Sequence, residues 1–154
     1  MISVYTILDS LEQDNLVDWG VILQAWKGLP GTECKLSTDY IADYAIAQIE
    51  QQEYNIPPTL IELFDAGLLE KEEVTELLKE ICKQKQINEE ISFRKCRLAA
   101  LEVTIDEILH DCIYSLIELT DFWRAWGNPA RKPHIIQGLD SNMSPTEYYA
   151  EKNY

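Results

Sequence analysis

Two histidines and four cysteines are the side chains in this 154-residue chain best suited to metal or nucleophilic chemistry, and their spacing supports neither. His110 and Cys112 are two positions apart, so on a helix they project to different sides and cannot share an ion. A zinc site needs about four convergent His, Cys or carboxylate ligands, and no segment offers them. The most that can be assembled for nucleophilic catalysis is Cys112, with His134 as base and Asp140 to orient it, a hydrolase constellation. Cys112 falls on the apolar side of its segment, however, where a thiol stays protonated and inert. There is no Gly-x-Ser-x-Gly elbow, phosphate-binding loop or glycine-rich dinucleotide turn. The chain is therefore expected not to be an enzyme and to need no metal or cofactor.

Carboxylates and tyrosine suggest binding instead. Glu107, Asp111, Tyr114, Glu118 and Asp121 recur at steps of three and four, which places them on one side of a helix. Tyrosine supplies a large contact area at low entropic cost, and the carboxylates around it suit lysine or arginine on a partner. Asp39 and Asp43 form a second candidate surface, because the N-terminal half carries most of the negative charge.

The elements that must position these residues read as helices throughout. Thr104-Ile105-Asp106-Glu107 has the form of a capping box, followed by Ile105, Ile108, Leu109, Cys112, Ile113, Leu116 and Ile117 as an expected buried face. That helix should end near Gly127, with Pro129 beyond it. A preceding helix over 88–103 carries Ile91, Leu98, Ala99 and Leu101, and the two form an expected central pair. Upstream, Ser3 opens a first helix containing Val4, Ile7, Leu8 and Leu11. Asp18 caps a second with Trp19, Ile22, Leu23 and Trp26 on one face, ended by Gly28. Ser37 caps a third, running to about Gln51, with Ile41, Ala45, Ile46 and Ile49 inward. Pro57-Pro58 starts a fourth, which Gly67 stops. A fifth runs from Lys71 to Lys85, and its mixed Glu/Lys outer face reads as a solvated surface. Ser144-Pro145-Thr146-Glu147 opens a short last helix. No segment alternates like a strand, so the expectation is an all-α fold, one domain over 1–154 with about seven helices.

Charge narrows the class of partner. Twenty-seven acidic residues against thirteen basic give −14. Residues 1–70 hold twelve acidic and two basic residues, against fifteen and eleven in residues 71–154. Nucleic acid and anionic membrane surfaces both attract cations, so neither is an expected partner. A basic protein is, because such a field speeds its encounter. No apolar run approaches the ~20 residues that span a bilayer, and the N-terminus lacks the basic and apolar regions of a signal peptide. Cytoplasmic localisation with reduced, mostly buried thiols is expected.

The stretch Asp121-Phe122-Trp123-Arg124-Ala125-Trp126-Gly127-Asn128-Pro129 resembles the C-terminal signature of a bacterial family known only as a domain of unknown function. Phe93-Arg94-Lys95-Cys96-Arg97 resembles that family's basic and aromatic helix, with phenylalanine in place of tryptophan. In size, charge and helical architecture the chain also resembles immunity proteins of bacterial toxin systems, including contact-dependent growth inhibition. That resemblance implies a protein, monomeric when free, that neutralises a cognate and basic toxin domain, a nuclease for example, by covering its active site or substrate surface. The alternative is a helical adaptor or regulatory subunit using Trp19 or Trp26 at an apolar interface.

Overall fold

Nine residues, Trp19–Lys27, form a helix so apolar that it must be enclosed on nearly every side, and the fold is built around it. Its Trp19, Gly20, Val21, Ile22, Leu23 and Ala25 are all buried. The computed structural model describes residues 2–33, 35–52, 54–108 and 112–127. In chain order the helices are α1 (Val4–Gln13), α2 (Trp19–Lys27), α3 (Thr38–Gln51), α4 (Pro58–Phe64), a 3-10 turn (Ala66–Leu68), α5 (Lys71–Gln84), α6 (Glu89–Glu107) and α7 (Cys112–Trp126). The fold is all-α, with no strand among the described residues; a single β-bridge joins Ile2 to Thr32. The chain divides into two compact units, Met1–Ala99 and Ala100–Tyr154.

In the first unit α2 packs on α5, α5 on α4, and α3 on both α4 and the 3-10 turn. The helix starts follow local hydrogen-bond chemistry. Ser3 Oγ accepts from the Tyr5 N–H, Asp18 Oδ1 from Val21 at 2.9 Å and Ser37 Oγ from Tyr40. Asn88 Oδ1 accepts from both Glu90 and Ile91. Pro58 occupies the first turn of α4, and Gly28 ends α2 at φ +105°, a conformation that favours glycine.

Glycine at position 20 has a different cause. A methyl group there would overlap Ser92 Oγ and Ile87 Cγ2, so α2 passes against the start of α6 without room for a side chain. Ser92 is itself buried, and its hydroxyl donates to the Asn88 carbonyl at 3.2 Å. Beside this crossing, Lys95 Nζ on α6 reaches Asp18 Oδ2 at 3.0 Å, so one carboxylate caps α2 and fixes α6 to it.

Two expectations need correction. Thr104 does not start a helix. It lies inside α6, and its hydroxyl donates to the Ala100 carbonyl at 2.8 Å, the back-bonding that lets threonine sit within a helix. The boundary falls instead between Glu107 and Cys112. Ile91, Leu98 and Ile105 are also exposed, whereas α6 buries Ser92, Cys96, Ala99 and Ala100. At Ser92 the close approach of Gly20 leaves room only for a small residue. The expected short last helix from Ser144 and Pro129 lie outside the described residues.

Gly20→Ala should therefore destabilise the protein although alanine is the better helix former. Overpacking costs about 1–3 kcal/mol, seen as a lower urea midpoint. Asp18→Ala, which loses cap and ion pair together, should cost about 1–2 kcal/mol, and Asp18→Asn, which retains the cap, distinctly less.

Candidate functional site

Helix α7 carries three of the five residues expected on one binding face. Tyr114, Glu118 and Asp121 are all exposed and follow one another at steps of four and three. Tyr114 is 62% exposed. Glu107 is exposed too but is the last residue of α6, so it does not share the α7 face. Asp111 lies outside the described residues. Asp39 and Asp43 are exposed one turn apart on α3, in the other unit.

The apolar side of α7 differs from expectation. Ile113 and Ile117 are 51% and 39% exposed, and Ile105 on α6 is 50% exposed. The buried residues are Leu116, Thr120, Phe122, Trp123 and Trp126. Phe122 meets Trp123 edge-on, with centroids 5.1 Å apart, and stacks on Trp126 at 5.8 Å. Three aromatic side chains bury more area than the isoleucines and set which side faces inward. Isoleucines are thereby left outside, beside Tyr114 and its carboxylates. The mixture of apolar and acidic side chains is the face's main chemical property. Leu109 lies outside the described residues, as does the side chain of Cys112.

Cys82 and Cys96 are free and buried. Burial, then the Asp18 carboxylate, pushes Cys82 up to about 11 and Cys96 to about 12. Tyr44, desolvated and near Asp18, is raised to about 12. Its ring stands edge-on to Trp19 at 4.7 Å, and its hydroxyl donates to the Val17 carbonyl at 3.3 Å. Such groups serve packing. His134 and Asp140, the other members of the hydrolase constellation, lie outside the described residues. Among the described residues no group of His, Cys, Asp or Glu is arranged to hold a metal ion, and no helix is long and apolar enough to cross a membrane.

The basic stretch Phe93–Arg97 is partly neutralised within the protein. Arg94 pairs with Glu90 at 2.7 Å, and Lys95 with Asp18. One concavity is not legible in the sequence. Leu69 and Leu77 line a groove of about 700 Å³ with Glu62 of α4 and Glu72, Glu73, Glu76 and Glu80 of α5. Seen as α5 alone, those glutamates look like a solvated stripe. Only the fold of α4 back along α5 makes them one wall of a groove.

Fold and surface together define an all-α protein, strongly acidic, whose exposed faces combine carboxylates with large apolar side chains. The pattern of the family described as "Uncharacterized protein conserved in bacteria (DUF2247)" matches residues 8–154, and the chain belongs to that family. No curated protein and no solved structure matches it.

The raised groups set an alkaline limit on stability. Cys82, Cys96 and Tyr44 all have folded values above their ordinary 9.0 and 10.0, so the fold favours their neutral forms. Their contribution is complete below pH 9 and is lost as pH rises through about 11 and 12. The urea midpoint should hold from pH 7 to 9 and fall steadily above that. Cys82→Ala with Cys96→Ala should flatten the first part of the fall.

Proposed function

We propose that this protein binds a cationic protein partner, and that the partner is a toxin domain which it neutralises as an immunity protein, in contact-dependent growth inhibition or a related system. The observation that carries the binding reading is the α7 face, where Tyr114 stands exposed between Ile113, Ile117 and the carboxylates Glu118 and Asp121. Carboxylates attract a basic surface and select its orientation. Tyrosine and isoleucine then bury apolar area once contact is made. A toxin that acts on nucleic acid must itself be basic, and an acidic cover over its substrate surface competes directly with the phosphates. The net charge of −14 and the buried, protonated thiols of Cys82 and Cys96 support binding over catalysis. The adaptor alternative gains nothing from the tryptophans. Trp19 is buried, and the Trp26 indole N–H donates to Thr75 Oγ1 at 2.9 Å.

Calorimetric titration with basic toxin domains, first among them any encoded beside its gene, tests the proposal. Binding should weaken as salt rises, mostly through a slower on-rate. Tyr114→Ala should lose about 2 kcal/mol, ~30-fold in affinity. Glu118→Lys with Asp121→Lys should weaken it further and slow association. An absence of binding at low salt removes the immunity reading.

A further inference from the structure

We infer that the groove between α4 and α5 docks a basic amphipathic helix of a protein partner, at a surface separate from the α7 face. The inference rests on the reading of this chain as a binder of cationic proteins and adds the form that such a partner presents. Helices α4 and α5 pack together with Gln84 Nε2 donating to Thr59 Oγ1 at 3.0 Å, which ties the end of α5 to the start of α4. The groove of about 700 Å³ opens farther along the pair. Leu69 and Leu77 give it apolar lining, and glutamates stand on both sides. Ile61 and Phe64 on α4, and Leu68 at 86% exposure, add apolar surface on the same hairpin.

Charge and shape restrict the occupant. The glutamates do not form a cation site, since no three carboxylates among the described residues are arranged to hold an ion. They are spread along α5 instead. Glu72, Glu76 and Glu80 follow at steps of four, covering about 12 Å of helix rise. Helix α5 also carries Lys71, Lys79 and Lys83, and the ion pair that Lys79 makes with the row is exposed and long, 3.7 Å from Glu76, too weakly held to neutralise it. A partner that meets this surface needs lysine or arginine repeated over two helical turns and apolar side chains between them for the leucines. An amphipathic helix offers both at matching periods. An anionic membrane or nucleic acid would be repelled, and a wholly polar cationic segment would leave the leucines in water.

The test uses the full chain and a labelled synthetic leucine–lysine peptide of about five helical turns. Two control peptides accompany it, one of the same composition in alternating order and one with glutamate replacing lysine. Fluorescence anisotropy should show binding of the helical-period peptide only. Glu72→Lys with Glu76→Lys should weaken it by at least about tenfold, and Asp9→Lys with Glu12→Lys, the same charge change on α1, much less. Leu77→Ser should weaken it with little change in salt dependence. All four acidic positions are exposed, so these charge reversals leave the fold intact. Equal binding of the alternating peptide, or equal loss in both charge-reversed variants, overturns the inference. So does failure of the helical peptide to bind. If the basic toxin domain still binds in that case, the groove assignment fails alone; if neither binds, the reading of the chain as a binder of cationic proteins fails with it.

Discussion

The contact between Gly20 and Ser92 is the constraint on which the first unit depends. Helix α2 is apolar on nearly all sides and would be insoluble as a surface helix, so α5 and α6 must close over it. Closing over a helix from several sides requires at least one neighbour to come near. Gly20 opposite Ser92 supplies that approach, and the buried Ser92 hydroxyl stays satisfied by bonding back to its own helix. The Asp18–Lys95 pair then removes the remaining freedom to slide.

The inner face of α6 also decides which of its side chains reach the surface. Since α6 turns serine, cysteine and alanine inward, its large side chains Ile91, Leu98 and Ile105 are left outside. A helix packed through large residues would have shown the reverse. Exposed apolar area on α6 thus accompanies an inner face of small residues.

Local chemistry was legible in the chain and side selection was not. Ser3, Asp18, Ser37 and Asn88 could be read as helix starts because a cap is a contact within three residues. Gly28 and Gly127 could be read as stops, and both have positive φ. Thr104 misled because threonine followed by Glu107 satisfies the capping pattern equally well when the hydroxyl bonds backward to Ala100. Ile113 and Ile117 misled because periodicity identifies a helix but counts every large aliphatic residue as core, while Phe122, Trp123 and Trp126 decide the orientation of α7. The α4–α5 groove was hidden for a third reason. It belongs to neither helix, and only the 3-10 turn at Ala66–Leu68 brings its two sides together.

Acidity by itself selects little, because a long-range field attracts every cation alike and salt weakens it. Selectivity comes where carboxylates border apolar side chains, since a partner that pairs charges without filling the apolar surface leaves that surface wet, and one that fills it without cations must bury the carboxylates uncompensated. Both the α7 face and the α4–α5 groove have this composition, on separate units of the chain.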